Sequence, residues 1–158
     1  MPKKKSSRPS GVSISNKRAT FNYFLTDRYT AGIVLAGCEI KSIRKGKASL
    51  VDAYCTVEHG EMWIHSMYVA PYEYTSYGAQ GTRRDRKLLL QRREIKKLER
   101  SSKNPGITIV PTRLFLNDAG YAKIEIAIAR GKKLYDKRQA LRAADDKRAV
   151  QQSLKRRY

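Results

Sequence analysis

Residues 121–129 read YAKIEIAIA, and this stretch decides the fold. Ile124, Ile126 and Ile128 alternate with charged or small side chains, a period of two that is typical of a strand with one buried face. The turn residues Asn117 to Gly120 come directly before it, and residues 107–110 and 113–116 are two further strand-like stretches. This part of the chain is therefore predicted to form three consecutive strands.

Residues 30–67 carry the same period of two. Apolar or small residues alternate with others over residues 33–35, 38–43 and 53–58, so each run is predicted to be a half-buried strand. His59-Gly60 follows the last of these runs and predicts a hairpin turn. Gly46 breaks the run before it.

Two segments are predicted to be helical. The first begins at Ser15 or Asn16, both candidate N-caps, and runs to Phe24. The second covers residues 82–103, where apolar residues share one stripe, basic residues cover the other side, and Asn104-Pro105-Gly106 ends the helix. The basic residues of 92–97 are interpreted as a solvated helix face.

About six strands with two or three helices indicate a mainly β fold, for which a small closed antiparallel barrel of OB-like type is the simplest architecture. A chain of 158 residues supports one core. We expect a flexible basic arm over residues 1–15, the barrel over 16–130 and a basic tail over 131–158.

The chain is strongly basic, with 34 Lys and Arg against 14 Asp and Glu and a net charge of +20. This excess favours a nucleic-acid partner, because cations neutralise phosphates and release their counterions. No amphipathic basic helix or long apolar stretch points to a membrane. Cys38 and Cys55 lack the spacing of zinc ligands, so we expect no metal or other cofactor, reduced thiols and a cytoplasmic location.

The tail over residues 131–158 holds ten Lys or Arg, three Asp and few large apolar side chains. Such a composition buries too little apolar surface to offset the entropy of ordering, so the tail is predicted to be mobile alone and ordered against a polyanion. Residues 139–155 are rich in helix formers, so the ordered form is predicted to be a helix.

Catalysis has few candidate residues. Asp52 and Glu58 have no histidine obviously aimed at them, Asp145-Asp146 lies in the tail, and the sequence has no glycine-rich phosphate loop. We therefore expect a protein that is not an enzyme.

RNA binding has better candidates, since basic groups at 16–18, 44–47 and 83–87 fall at predicted loops or strand ends. Tyrosines interleave with these groups, and a base can stack on a tyrosine ring. They are Tyr23, Tyr54, Tyr72, Tyr74 and Tyr77. For Tyr23 and Tyr54, a purely structural role as covers of the barrel is equally compatible with the pattern.

Five blocks of the sequence resemble one family. They are NKRA at 16–19 with Tyr23-Phe24, AGI at 31–33, GCEIKSIRKGK at 37–47, RKLLL at 86–90 with Glu94-Ile95, and ARGKKLYDKR at 129–138. Their order and approximate spacing are similar to those of the SsrA-binding protein family, also called small protein B. The resemblance covers residues 12–158.

The resemblance implies an RNA-binding factor with an OB-related barrel and no enzymatic activity. The barrel would bind the tRNA-like domain of transfer-messenger RNA, in place of the missing anticodon arm, and deliver it to stalled ribosomes for trans-translation. The tail would enter the empty messenger channel near the decoding centre, where a helix over 131–158 would span roughly 40 Å. Elongation factor Tu is an implied partner through the RNA.

Two groups of candidate residues combine the matching motifs with the basic segments. The RNA-binding group is Asn16, Lys17, Arg18, Tyr23, Glu39, Lys41, Arg44, Lys47, Tyr54, Arg86, Lys87 and Leu89. The ribosome-binding group in the tail is Lys132, Lys133, Asp136, Lys137, Arg138, Lys147, Arg148, Lys155, Arg156 and Arg157. Replacement of Arg86 and Lys87 by Ala is expected to weaken RNA binding without changing the fold.

Two positions depart from the family pattern. Thr30 stands directly before Ala-Gly-Ile, where members of the family often carry an acidic residue that in some of them helps bind the RNA. Residues 144–147 read ADDK and lack the aromatic side chain that some members carry midway along the tail. Either Tyr135 or Tyr158 takes that role, or the tail relies on charge alone.

A structural ribosomal protein, with a barrel and basic extensions held permanently in rRNA, fits the composition equally well. Sedimentation of cell extracts separates these two hypotheses. A ribosomal protein would be stoichiometric with ribosomes, whereas a rescue factor would be substoichiometric and associated with one small stable RNA.

Overall fold

The structure, a computed structural model, describes residues 11–73 and 81–156. These residues form nine strands and four helices. The strands are β1 (Ser13–Ser15), β2 (Tyr23–Ile33), β3 (Ala48–Ser49), β4 (Tyr54–Glu58), β5 (Glu61–His65), β6 (Tyr68–Val69), β7 (Arg86–Leu89), β8 (Ile107–Leu116) and β9 (Ala122–Gly131). The helices are α1 (Lys17–Asn22), α2 (Gly37–Arg44), α3 (Arg92–Ser102) and α4 (Leu134–Lys155).

The strand pairs are antiparallel, and the mainly β prediction is confirmed. Seven strands form one sheet in the order β1-β8-β4-β5-β7-β2-β9, and β3 pairs with β6 in a second sheet. β8 also pairs with β9, so the pairings lead from β8 through β4, β5, β7, β2 and β9 back to β8. Every strand of the large sheet except β1 lies in this succession.

The isoleucines of β9 lie at the centre of the core, as their alternation predicts. Ile124 and Ile126 are fully buried and Ile128 nearly so, while Lys123 and Glu125 on the opposite face are partly exposed. Other strands contribute to the same core through their own alternate positions. These residues include Cys55, Met62, Ile64, Leu88, Ile109 and Leu114.

Both predicted turns are confirmed. His59 and Gly60 join β4 to β5, each with a positive φ (51° and 74°), a conformation that glycine adopts without steric cost. At the other turn, the backbone N–H of Gly120 donates to the carbonyl of Asn117 at 2.9 Å. This turn joins β8 to β9, which pair as a hairpin.

The prediction of a strand at 38–43 is wrong, because this segment is helix α2. Glu39, Ser42 and Ile43 are its buried residues, and this spacing is helical. The Glu39 carboxylate caps the start of α2, because it accepts a hydrogen bond from the backbone N–H of Ala36 at 2.9 Å. The segment is short, so its alternation of small and polar residues fits a strand as well as a helix.

The prediction of one helix over 82–103 is wrong in its first part. Residues Arg86–Leu89 form strand β7, which pairs with both β2 and β5, and α3 begins only at Arg92. Leu88 is buried in the core from a strand position, so tertiary pairing overrides the local helical stripe. The end of α3 near Asn104-Pro105-Gly106 is confirmed.

Three boundaries also differ from the sequence prediction. Helix α1 ends at Asn22, so Tyr23 and Phe24 belong to β2. Residues 107–116 form one strand with an irregularity between Pro111 and Arg113 rather than two strands. Ser13–Ser15, which were assigned to the flexible arm, pair with β8. Residues 1–10 of the arm lie outside the described residues.

The tail forms helix α4, so the helical propensity predicted for 139–155 is confirmed. None of its residues from Leu134 to Lys155, all of which are described, is buried. The helix contacts α1. A gain of helix on the ribosome stays a prediction. No helix in the described part of the chain is long and apolar enough to cross a bilayer.

Candidate RNA-binding site

Aromatic, basic and apolar side chains share one outward face of strands β4, β5 and β7. The register places Tyr54 opposite His65, and Trp63 lies between Thr56 and Lys87 on its two neighbours. Because side chains alternate along a strand, these residues point away from the core. We call this surface the outer sheet face: Tyr54, Thr56, Trp63, His65, Lys87 and Leu89.

The outer sheet face exposes large side chains. Tyr54 is 45% and Leu89 54% exposed, whereas Trp63, His65 and Lys87 are partly buried. The Lys87 ammonium lies 2.6 Å from the Glu61 carboxylate. A rigid sheet therefore presents an aromatic ring, an aliphatic side chain and a cation together, which are the groups that bind an unpaired base and a phosphate.

The Tyr54 ring is supported from one side by His65. The two rings stack with centroids 5.0 Å apart and an interplanar angle of 27°. His65 is held in turn, since its Nε2 lies 2.6 Å from Thr56 Oγ1 and its Nδ1 lies 2.8 Å from Asp85 Oδ1. These contacts fix the orientation of Tyr54, so less side-chain entropy is lost when a base stacks on the ring.

Helix α1 presents two basic residues, of which Arg18 shares a groove with Tyr54. Lys17 and Arg18 are exposed, and Arg18 forms an ion pair with Asp52 at 3.1 Å. Arg18, Tyr23 and Tyr54 line one groove with a volume of about 400 Å³. The structure thus brings together three predicted RNA-binding residues that are distant in sequence.

Asn16, which the family resemblance assigned to RNA binding, has a structural role. It is buried, and its Oδ1 accepts a hydrogen bond from the backbone N–H of Ala19 at 3.2 Å, which caps α1. Its Nδ2 donates to the carbonyls of Leu50 and Pro111 at 3.2 and 2.9 Å. The side chain therefore positions α1, and a contact of Asn16 with RNA stays a prediction.

Glu39 and Arg86, also predicted RNA contacts, are buried against each other. Arg86 is fully buried and donates from Nη2 to Glu39 Oε1 at 2.8 Å and from Nη1 to the Met67 carbonyl at 2.8 Å. Arg84 donates to the same carboxylate at 2.6 and 2.8 Å. The expectation that Arg86 offers its charge to RNA needs correction, because β7 directs this side chain inward.

The charge of Glu39 is stabilised in this network. Burial alone would raise the pKa of Glu39, but hydrogen bonds from both guanidinium groups and from the Ala36 backbone outweigh it and lower the pKa from 4.5 to about 2. The carboxylate is therefore ionised in the folded protein at neutral pH. The network joins the start of α2 to β7.

The predicted residues Lys41, Arg44 and Lys47 form a second set of exposed cations on α2 and directly after it. Lys41 lies 5.2 Å from the centre of the Tyr72 ring, and Lys47 pairs with Glu73 at 3.1 Å. Arg44 donates to the Gly120 carbonyl at 3.5 Å. All three basic side chains are exposed. Tyr74 and Tyr77 lie outside the described residues.

A larger groove lies between β7 and α3. Its volume is about 800 Å³, and Thr30, Lys87 and Leu89 are among the residues that line it. Thr30, the position that departs from the family pattern, is therefore brought to the same groove as two predicted RNA contacts. Across the sheet Thr30 is paired with Glu125 on β9.

The tail begins with contacts that tie it to α1. The backbone N–H of Lys132 donates to the Asn22 carbonyl at 2.9 Å, and the Lys132 ammonium donates to the Thr20 carbonyl at 3.2 Å. Asp136 accepts a hydrogen bond from the Lys133 backbone at 3.4 Å at the start of α4. Lys132 and Asp136 therefore fix how the helix leaves the sheet.

The other predicted tail residues lie along or beside α4. Lys137 is partly buried, while Lys133, Arg138, Lys147, Arg148, Lys155 and Arg156 are exposed. Arg157 is not among the described residues. Within residues 11–73 and 81–156, no group of His, Cys, Asp and Glu is arranged to hold a metal ion. Cys38 and Cys55 form no disulfide in the structure.

Trp63 and His65 were missed by the sequence analysis. The signal for both was present in the strand EMWIH at 61–65, because Met62 and Ile64 face the core and the odd positions must then face outward. Only the pairing of β5 with β4 and β7 brings these outward residues next to Tyr54 and Lys87.

Comparison with known proteins identifies the family. The family model described as SmpB protein matches residues 13–156. The chain is 55% identical to an SsrA-binding protein of Phocaeicola vulgatus, over 94% of this chain and 99% of that protein. It is 57% identical to an SsrA-binding protein of Parabacteroides distasonis, over 92% of this chain and 95% of that protein.

A solved chain gives the same result at the level of structure. It is described as "tmRNA-SmpB: a journey to the center of the bacterial ribosome" and is 39% identical to this chain, with a TM-score of 0.69. The match covers 84% of this chain and 96% of the solved one. The sequence blocks, the fold and these matches agree, and the chain belongs to the SmpB protein family, whose members are named SsrA-binding proteins.

Proposed function

We propose that this chain binds the tRNA-like domain of transfer-messenger RNA and delivers it to stalled ribosomes for trans-translation. The observation that carries the proposal is the exposed Tyr54 ring, held by His65, on the same outer sheet face as Lys87 and Leu89. The names of the relatives, and the solved tmRNA-SmpB chain, support this choice of RNA.

The outer sheet face has the chemistry for an unpaired segment of RNA. Stacking of one base on an aromatic side chain contributes about 1–3 kcal/mol, and it works for any base. Lys17, Arg18 and Lys87 add charge for the phosphates next to that base. Selectivity for one RNA would then come from the shape that brings an exposed base and these phosphates to the face together.

The buried residues of the predicted site support this face from behind. Arg86 lies on β7 directly before Lys87, and its ion pair with Glu39 holds that strand to α2. Asn16 holds α1, which carries Lys17 and Arg18. In this proposal Asn16, Glu39 and Arg86 position the RNA contacts, and the basic group of Lys41, Arg44 and Lys47 is a further contact surface.

The large sheet is interpreted as a closed barrel of OB-like type, because its pairings return to β8. The barrel would take the place of an anticodon arm, and α4 would enter the vacant messenger channel towards the decoding centre. The exposed cations along α4 support this role, since rRNA phosphates line such a channel. The factor would act in the cytoplasm without a catalytic step, and would meet elongation factor Tu through the RNA.

The test is capture of the full chain from growing cells, followed by sequencing of the bound RNA. We expect transfer-messenger RNA to be enriched over total rRNA and tRNA, and the chain to be substoichiometric with ribosomes in sedimentation. Tyr54→Ala combined with Lys87→Ala should reduce that enrichment. Stoichiometric association with ribosomes, without enrichment of one small RNA, would replace this proposal with a structural ribosomal protein.

A further inference from the structure

His65 is held by polar groups at both ring nitrogens. Its Nδ1 lies 2.8 Å from Oδ1 of Asp85, the residue directly before β7. Its Nε2 lies 2.6 Å from Thr56 Oγ1 and 3.6 Å from the Glu58 carboxylate, both on β4. The Thr56 hydroxyl lies in turn 3.2 Å from Glu58 Oε1. Carboxylates from two different segments therefore face one imidazole.

The hydrogen bonds of this cluster form together only when the imidazole carries two hydrogens. A carboxylate accepts and cannot donate, so Nδ1 of His65 carries the hydrogen that is donated to Asp85. The Thr56 hydroxyl has a single hydrogen, and its contact with Glu58 uses it. The contact between Thr56 and Nε2 then requires a second ring hydrogen. If His65 is neutral, Thr56 must turn its hydrogen to Nε2 and loses the bond to Glu58.

His65 is also the group that can neutralise these carboxylates. Within residues 11–73 and 81–156, neither Glu58 nor Asp85 forms an ion pair with Lys or Arg. The cations next to Asp85 in sequence have other partners. Arg83 binds the Ser66 carbonyl at 3.1 Å, Arg84 and Arg86 bind the Glu39 carboxylate at 2.6 and 2.8 Å, and Lys87 binds the Glu61 carboxylate at 2.6 Å.

The charge of His65 bears directly on Tyr54, because the two rings stack with centroids 5.0 Å apart. With His65 neutral, two carboxylates without a cation lie beside the exposed tyrosine and repel the phosphates of an RNA. Protonation of His65 removes one unit of that negative charge. It also completes the hydrogen bonds that hold the ring behind Tyr54. Both effects favour RNA at lower pH.

We propose that protonation of His65 strengthens the binding of RNA to the outer sheet face, so that affinity rises as the pH falls from about 8 to about 5.5. This inference rests on the proposed function and concerns the regulation of the same face. Histidine is the side chain that ordinarily changes its charge in this range, whereas RNA phosphodiesters stay charged throughout.

The chain supplies a matched control, because it has two histidines. His59 is exposed in the turn between β4 and β5, and its side chain has no hydrogen bond or ion pair within the described part of the chain. His59→Asn suits the positive φ of 51° at this position. His65→Phe keeps an aromatic ring behind Tyr54 but cannot take up a proton. Each variant removes one titratable imidazole, so a difference between them measures position.

The experiment measures binding of the purified full chain to the tRNA-like domain of transfer-messenger RNA between about pH 8 and about pH 5.5 at one salt concentration. Wild type and His59→Asn should bind about two- to fivefold more tightly at the lower pH, as expected for one exposed charge. His65→Phe should lose this gain. Asp85→Asn removes one carboxylate charge, so it should bind more tightly than wild type at the higher pH and gain less on acidification.

Nitrogen-15 NMR of the imidazoles gives a readout that does not depend on RNA. We expect Nδ1 of His65 to keep its hydrogen over the whole range and Nε2 to gain one on acidification. The spectrum of His59→Asn identifies the signals of His65. A hydrogen on Nε2 and none on Nδ1 at the higher pH would contradict the hydrogen bonding from which the inference is drawn.

The outcomes separate this inference from the proposed function. If wild type does not prefer this RNA over a tRNA of equal length at any pH, the proposed function fails. If wild type prefers it and His65→Phe keeps the full pH response, His65 is not the switch. Circular dichroism establishes that each variant is folded. If His65→Phe is not, Asp85→Asn decides, because its side chain is 60% exposed, and binding equal to wild type at every pH would overturn the inference.

Discussion

Arg86 Nη2 donates to Glu39 Oε1 at 2.8 Å, and both side chains lie inside the protein. Two of the predicted RNA-binding charges therefore face each other inside the protein. Breaking such a buried pair is costly, because the remaining charge loses its partner and stays desolvated. The pair joins α2 to β7, the strand that carries Lys87 and Leu89 of the outer sheet face.

Glu39 should make stability depend on pH in the acid range. Its pKa is lowered from 4.5 to about 2 in the folded chain, so its contribution is fully present above about 4.5 and is lost as the pH falls towards 2. Glu39→Gln should reduce the free energy of unfolding at neutral pH by about 3 kcal/mol and flatten its decline between these pH values. Urea denaturation over a pH series measures both effects, and parallel pH curves for variant and wild type would rule out this role of Glu39.

Adjacent residues on β7 should separate stability from binding. Arg86→Ala should lower the free energy of unfolding by about 3–5 kcal/mol, because it leaves the Glu39 carboxylate buried without its partner. Lys87→Ala should cost no more than about 1 kcal/mol, since its ion pair with Glu61 is exposed, yet it should weaken RNA binding. Chemical denaturation and RNA titration of both variants are compared. Equal stability of the two variants would refute the assignment of Arg86 to the buried network.

Tyr54 should act through its ring. Tyr54→Ala should weaken binding of the tRNA-like domain by about 1–3 kcal/mol, which is the typical contribution of a base stacked on an aromatic side chain. Tyr54→Phe keeps the ring and should bind nearly as well as wild type. Fluorescence anisotropy with labelled RNA measures both affinities. An equal loss in the Phe variant would assign the effect to the hydroxyl and contradict stacking.

Strong local patterns predicted much of the fold. The alternation around Ile124 and the turns at His59-Gly60 and Asn117–Gly120 gave the correct strands, since local steric and burial requirements decide these elements. Residues 38–43 were predicted as a strand but form a helix, and residues 86–89 were predicted as a helix but form a strand. In both cases the decisive contacts are distant: Glu39 meets Arg86, and β7 pairs with β2 and β5.

Only part of the candidate site could be predicted from the sequence, because distant contacts also decide which side chains are exposed. The basic and aromatic residue types were enough to identify Lys17, Arg18, Tyr54 and Lys87 as candidates. In the structure the first three side chains are exposed and Lys87 is partly exposed. Residue type alone did not indicate that Arg86 is fully buried. His65 was overlooked because its stacking on Tyr54 depends on the register between β4 and β5.

The most direct test removes the tail after Lys133. This end point keeps the pairing of Gly131 with Tyr23 and the hydrogen bonds of Lys132 to α1, and it deletes a helix without buried residues. The truncated chain should stay folded and bind transfer-messenger RNA with only modest loss. Replacement of Asp136, Lys137 and Arg138 by Ala should reproduce much of its defect on the ribosome, because these residues lie where α4 begins.

The decisive measurement is tagging of an incomplete protein on ribosomes stalled without a stop codon, with transfer-messenger RNA and either the full or the truncated chain. We predict tagging with the full chain and none with the truncated chain, although RNA binding persists. Full tagging by the truncated chain would contradict a role for α4 in the messenger channel.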